Sequence, residues 1–297
     1  MLDVVAIFGP TGVGKTAVAI ELAALLREAG EDPVAVSADA LQIYRGLEVL
    51  TGAADAAEQS RLEHRLLSFV PVSDSFSAGR YARLAHDEID RLRAAGRRPI
   101  VVGGTGLYLR AALTELALKP PVPPEVRAQV RARLQQHGPE ALHGELKAAA
   151  PKAAATIAPT DSQRITRALE LVAVGEDPQV GDQLWTEHTR VPTRLFGLTL
   201  ERELLRQQID RRVEAMLEAG ALEEVRAAAG AGPSARKAVG FQELLDGDVA
   251  QMKTRTWQYA RRQLTWMRKL ASVHLIDLSE RSPADAAAAI AASLRAP

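Results

Sequence analysis

Val4-Val5-Ala6-Ile7-Phe8-Gly9-Pro10-Thr11-Gly12-Val13-Gly14-Lys15-Thr16 decides the reading of this chain. Its five leading apolar residues predict a buried β-strand. Gly9 to Thr16 is a complete G-x-x-x-x-G-K-T phosphate-binding loop, and Ala17 to Glu28 has helical periodicity. Strand, loop and helix stand in the order that the mechanism of such a loop requires. Glycines let the backbone approach phosphate oxygens, and the first helical N–H groups point at them. Lys15 adds a point charge, and the Thr16 hydroxyl can hold Mg²⁺. The loop implies a pyrophosphate ligand without saying which one.

Outward from it, strands and helices alternate. Pro33 to Ser37 predicts a second strand and Pro99 to Val102 a third; Ala78 to Ala95 reads as a helix with Ser77 or Ser75 as N-cap. Leu107 to Leu118 predicts another helix. This alternation predicts an α/β fold with a parallel sheet and ligands at the carboxyl ends of the strands. Composition then shifts. Lys119-Pro120-Pro121-Val122-Pro123-Pro124 reads as a stiff linker, and Glu125 to Gln183 is Ala-rich and helical with no strand signal. Arg194 to Leu200 predicts a return strand. Helices over Arg202–Leu217, Ala221–Ala229 and Val249–Ala271, a short strand over Val273–Ile276 and a terminal helix follow. The expected division is a P-loop core over 1–122, a helical insertion over 123–190 and a second part of the core over 191–297.

Composition narrows the function classes. The 297 residues are 47% hydrophobic, enough to bury a core, and contain no cysteine, which excludes disulfides, thiolate metal sites and a cysteine nucleophile. No apolar run is long enough to cross a bilayer, and no signal peptide is expected before the first strand, so a cytoplasmic protein is expected. Six scattered histidines suggest no metal site of their own. The net charge is zero, but it is unevenly spread: residues 1–60 carry nine acids and three bases. Residues 249–272 carry Lys253, Arg255, Arg261, Arg262, Arg268 and Lys269 and no acid. Such asymmetry can form a phosphate-binding footprint on a neutral protein, or simply a solvated helix face.

A P-loop kinase or NTPase usually has a carboxylate at the end of a second strand to help hold Mg²⁺. Here Ile100-Val101-Val102 ends in Gly103-Gly104, and no acid follows until Glu115. Asp39, just past the second strand, is the carboxylate expected near the phosphate loop. It could assist a metal, accept a proton from a nucleophile, or cap a helix.

Several blocks together resemble the tRNA dimethylallyltransferases (tRNA isopentenyltransferases) of the bacterial type. They are GPTGVGKT at 9–16, SADALQIYRGLEV at 37–49, RRPIVVGGTGLYLRAAL at 97–113, APTDSQRITRALEL at 158–171, QIDRRVEAMLEAGALEEV at 208–225, KAVGFQELL at 237–245 and YARRQLTWMRK at 259–269. The resemblance runs from about residue 3 to 270. It implies transfer of a dimethylallyl group from dimethylallyl diphosphate to N6 of adenosine 37, beside the anticodon of a tRNA. Gly9, Pro10, Thr11, Gly12, Val13, Gly14, Lys15 and Thr16 would then bind the diphosphate, with Arg262 as a further contact and Mg²⁺ on Thr16. Asp39 would accept the N6 proton, with Thr105 and Lys15 as further catalytic residues. The base must be flipped to be reached; Asp39, Ala40, Leu41, Gln42 and Thr105 would meet it. The insertion resembles a module that closes over the anticodon stem-loop. Arg127, Gln163, Arg164, Ile165, Thr166 and Arg167 would contact RNA there, and Lys237, Gly240 and Gln242 would do so from the second part of the core.

Two departures stand out. The family commonly reads T-A-K-P where this chain has Thr51-Gly52-Ala53-Ala54, and an arginine where it has Trp257. No zinc-finger extension is expected, which resembles the shorter bacterial form, and a monomer is expected. The rival readings are an adenylate isopentenyltransferase acting on a free nucleotide, a P-loop kinase or NTPase, and a non-catalytic RNA-binding module. The long helical insert and the cationic C-terminal helices argue against the first of these.

Overall fold

The computed structural model describes residues 2–116, 119, 121–178 and 186–295. The chain forms two compact units: Met1–Glu115 with Trp185–Pro297, and Leu116–Leu184.

The first unit is built on six parallel strands in the order β4-β2-β6-β1-β7-β8. They are β1 (Val4–Phe8), β2 (Pro33–Ser37), β4 (His64–Arg65), β6 (Arg98–Gly103), β7 (Thr193–Thr199) and β8 (Val273–Asp277). All five residues of β1 are buried. A central parallel strand covered on both faces has no polar side, so the apolar run at 4–8 reads as continuous rather than alternating. A second small sheet pairs β3 (Tyr44–Arg45) with β5 (Val70–Pro71). Sequence periodicity missed β3, β4 and β5, because two residues show no alternation.

Helices α1 (Lys15–Glu28), α2 (Glu48–Thr51), α3 (Ala56–Arg61), α4 (Ala78–Ala94) and α5 (Gly106–Leu113) belong to the first half of this unit. The Ser77 hydroxyl caps α4 by accepting from Arg80 N at 3.2 Å. The expected helix from Leu107 stops at Leu113, where Thr114 turns extended; residues 117 and 118 lie outside the described residues. One core lies between the sheet, α1 and the C-terminal helix, with Val5, Ile7, Leu22, Phe196 and Ile290 at its centre. A second core gathers Tyr44, Leu47, Leu50, Val213, Phe241 and Met252 around the small sheet.

The other unit is all-helical: α6 (Pro124–Ala149), α7 (Pro151–Ala154) and α8 (Ser162–Ala173). Prolines at the start of α6 suit its first turn, where no N–H partner is needed. Gly138 (φ 77°, ψ 169°) breaks α6 just before Pro139. Asp161 caps α8, and Val130, Leu142, Leu146, Ile165 and Leu169 form the core of this unit. Positions 179–183 at the end of the expected helical stretch, and Pro120 of the expected linker, lie outside the described residues.

The chain returns to the first unit through β7 and α9 (Arg202–Glu218), α10 (Ala221–Ala227), a 3₁₀ turn at Ala235–Lys237, α11 (Phe241–Leu245), α12 (Val249–Met267) and α13 (Pro283–Arg295). α12 packs against α5, α9 and α11, and its second half reaches the carboxyl ends of β1 and β6 through Tyr259 and Gln263.

Candidate active site

Strand register assembles the site. Phe8 of β1 is level with Gly103 of β6 and Gly197 of β7, and Ser37 of β2 is level with Val102. The next residues, Gly9, Gly104 and Ala38, therefore emerge side by side. Gly103 permits this convergence, since a Cβ there would run into the Ala38 backbone. A cleft of about 550 Å³ opens above these strand ends, within the range of ligand pockets.

The phosphate-binding loop forms one wall. Gly12 and Gly14 have φ of 83° and 95°, a conformation L side chains rarely adopt, which fixes the two loop glycines. The Lys15 ammonium donates to Gly9 O at 3.0 Å and Pro10 O at 2.9 Å. Burial lowers its pKa to about 8; Asp39 opposes the shift and Arg212 adds to it. Thr16 lines the cleft from the first turn of α1.

Asp39 faces Lys15 across the cleft. It caps no helix: its Oδ1 accepts from Leu41 N at 3.0 Å in a local turn, and no helix follows. That removes the capping alternative and leaves an acid lining a cleft. Thr105 sits beside it, with its Oγ1 accepting from Ala40 N at 3.2 Å and lying 3.3 Å from the Tyr259 hydroxyl. Burial first, and then the Asp39 charge, raises the Tyr259 pKa, so the phenol stays protonated.

Arg212, on α9, reaches the same cleft and donates to Thr51 O at 3.1 Å. Burial lowers its pKa, opposed by Asp39 and Glu58. Gly52, of the departing T-G-A-A stretch, leaves the space the guanidinium fills; a Cβ at 52 would collide with it. Leu41, Leu50, Val213, Met216 and Met252 present the edge of the second core to the cleft. The lining thus combines cationic and hydrogen-bonding groups with apolar side chains.

The remaining expected residues are scattered. Gln42 lines the cleft, but its amide N–H groups already donate to Gly52 O at 3.0 Å and Thr51 O at 3.4 Å. Arg262 is exposed and stacks over the Tyr259 ring at 5.7 Å, outside the cleft lining. Lys237 is exposed, Gly240 begins α11 with φ 98°, and Gln242 donates to Asp246 at 2.9 Å. In the helical unit, Gln163 and Arg164 are exposed on α8. Ile165 is fully buried in the unit's core, and the Thr166 hydroxyl donates to Ser162 O. Arg167 bonds Lys119 O and pairs with Glu170. Of the cationic run on α12, Lys253 and Arg255 pair with Glu214 and Glu243, while Arg261, Arg262 and Arg268 are exposed. Trp257 packs on the main core, with Arg202 over its ring at 5.9 Å.

Comparison with known proteins adds an independent line. The family model described as IPP transferase matches residues 42–270. This chain belongs to the IPP transferase family. A tRNA dimethylallyltransferase of Rhodospirillum centenum is 44% identical over 284 residues, covering 89% of this chain and 88% of that protein. The full-length tRNA isopentenylpyrophosphate transferase of Bacillus halodurans superposes with a TM-score of 0.70 at 31% identity, covering 99% and 97% of the two chains. A eukaryotic dimethylallyltransferase acting on tRNA reaches 0.76 at 25% identity over 98% of this chain and 78% of its own.

Against that family background, sequence reasoning missed several polar members of the cleft, among them Arg212, Tyr259 and Gln263. Each of these three lies within a block quoted above for the IPP transferase resemblance, so the signal was present. What singled none of them out is that each is one polar residue on a long amphipathic helix.

Proposed function

We propose that this chain transfers a dimethylallyl group from dimethylallyl diphosphate to N6 of adenosine 37 in tRNA, releasing diphosphate. The observation that carries the reading is the mixed lining of the cleft: Asp39 shares it with the desolvated cations Lys15 and Arg212 and with the apolar side chains of Leu50, Met216 and Met252. Such a lining complements a donor with a charged diphosphate and a short hydrocarbon tail. Burying five carbons against those apolar side chains is worth about 4 kcal/mol at ~0.8 kcal/mol per CH₂.

The N6 lone pair attacks C1 of the donor. The C1–O bond breaks, its electrons leave on the diphosphate, and the N6 proton passes to the Asp39 carboxylate. Loop N–H groups, Lys15 and Arg212 stabilise the charge growing on the leaving group, the largest electrostatic contribution. Asp39 answers the weakness of an aromatic amine as nucleophile. Thr105, bonded to Ala40 N and Tyr259, holds the turn that carries Asp39.

The residues present fit Mg²⁺ as a cation bound largely through the diphosphate. Thr16 offers a hydroxyl oxygen, and no group of three acids or histidines gathers among the described residues. Mg²⁺ accepts such sites, keeping several waters and phosphate oxygens as ligands. When bound it neutralises charge on the leaving diphosphate.

The helical unit contacts the anticodon stem-loop through Arg127, Gln163, Arg164 and Arg167, with Lys237, Gln242 and exposed cations of α12 adding backbone contacts. No described helix is long and apolar enough to cross a membrane, and a tRNA substrate assigns the protein to the cytoplasm.

The test is incubation of the purified protein with Mg²⁺, dimethylallyl diphosphate and unmodified tRNA, followed by nucleoside mass spectrometry. One prenyl mass gained at adenosine 37 is expected. Gain on free AMP alone would move the assignment to a nucleotide substrate. Gain on neither would reject the transfer.

A further inference from the structure

Gln263 is 4% exposed, in the last third of α12, and lines the cleft. Its Oε1 accepts from Thr11 N at 2.8 Å, and its Nε2 donates to Gly104 O at 2.8 Å. The partners fix the amide's orientation, since an N–H must meet an oxygen and a C=O must meet an N–H. Gly104 is part of the fit, because a Cβ there would strike Nε2. One helical turn earlier, Tyr259 reaches Thr105, and Thr105 accepts from Ala40 N next to Asp39. A continuous hydrogen-bonded line thus runs from the phosphate-binding loop through α12 to the turn that carries Asp39. Gln263 ties together two loops from which it is 252 and 159 residues distant in sequence.

We propose that Gln263 is a positioning residue that sets the distance between the phosphate-binding loop and Asp39, bridging Thr11 N and Gly104 O with one amide. The inference rests on the transfer reading above. One consequence is that the Thr11 N–H is already engaged, so Thr11 meets a diphosphate through its hydroxyl. Another is that only a side chain with one acceptor and one donor at its tip serves. Glutamate would turn an anionic oxygen on the Gly104 carbonyl, while protonated glutamate would restore both bonds.

The test compares wild type, Gln263→Glu and Gln263→Leu in single-turnover transfer at saturating dimethylallyl diphosphate and tRNA, from pH 6 to pH 8.5. A misplacement of about 1 Å costs on the order of 10²-fold, so both variants should lose about that in rate at pH 8, with half-saturating donor concentration changed less than about threefold. Gln263→Glu should regain at least tenfold relative to Gln263→Leu as pH falls to 6. The ionisable groups that line the cleft with the amide are Tyr259 on α12, Lys15 on α1, Asp39 after β2, Glu58 on α3, and Arg211 and Arg212 on α9. All are kept in both variants, so the ratio cancels their titration. A purely structural role would show as a rise in half-saturating concentration with a fall in melting temperature and no acid recovery, and would overturn the proposal. So would a Gln263→Leu rate within threefold of wild type. An inactive wild type would overturn the transfer reading and this one with it, which separates the two failures.

Discussion

Arg212→Met puts the charge logic of the cleft to its sharpest test. The guanidinium is desolvated and bonded to a carbonyl, Thr51 O, and no carboxylate forms an ion pair with it among the described residues. A cation held this way weakens the empty fold and waits for an anion. At ~4 Å and an effective dielectric of about 20, one such charge attracts a unit anion by about 4 kcal/mol. Water in the cleft and the neighbouring Lys15 reduce the net loss to about 2–3 kcal/mol, or roughly 30- to 150-fold in kcat/KM at 1.36 kcal/mol per decade. Methionine keeps the stem's packing and removes the desolvated charge, so the ligand-free variant should be more stable by about 1 kcal/mol, a rise of about 2–4 °C for a unit of this size. Inorganic diphosphate should raise the wild-type melting temperature by ligand linkage and raise that of the variant less. Arg212→Lys should recover only part of the rate, because an ammonium is a point charge without the planar fork that reaches Thr51 and an anion together. The assays are steady-state transfer and thermal melting with and without diphosphate. A variant that melts lower while its diphosphate response is intact would refute the reasoning, since Arg212 would then be a structural residue.

Asp39→Ala should lower turnover by ~10²–10⁴ with tRNA affinity kept within about twofold; loss of RNA binding alone would refute the proton-acceptor role. Lys15, its pKa lowered to about 8, is protonated below that pH and neutral above it. Diphosphate affinity measured by calorimetry should therefore weaken as pH rises through about 8, and Lys15→Arg should abolish the dependence. The same shift means the unfolded chain binds the extra proton between about 8 and 10.5, so Lys15 costs the fold stability below that window and the cost fades as pH rises through it. Arg164→Ala, at an exposed site, should reduce the salt slope of tRNA binding by about one without changing the melt. Arg167→Ala should also lower stability, because Arg167 holds Lys119 O and Glu170.

The phosphate-binding loop, the parallel sheet and the helical insertion were legible because each is written in neighbouring residues. Five apolar positions, two glycines forced to positive φ and a lysine follow one another with no long-range contact needed to recognise them. Asp39 was legible as a carboxylate past a strand, but three roles stayed open until the absence of a following helix removed one. Ile165 shows the opposite error. Placed among RNA contacts because it lies between Arg164 and Arg167, it points into the core, since helical neighbours face directions about 100° apart.

The sequence by itself determined the fold class, the strand–loop–helix order around Gly9–Thr16 and the family, since these rest on local order and on blocks of residue type. The tertiary structure decided which polar side chains enter the cleft. Arg212 and Gln263 lie some two hundred residues beyond the loop they serve, and their position follows from how α9 and α12 pack over the strand ends. Burial then set the chemistry of the cations in the cleft: desolvation lowers the pKa of both Lys15 and Arg212, a property no residue carries on its own.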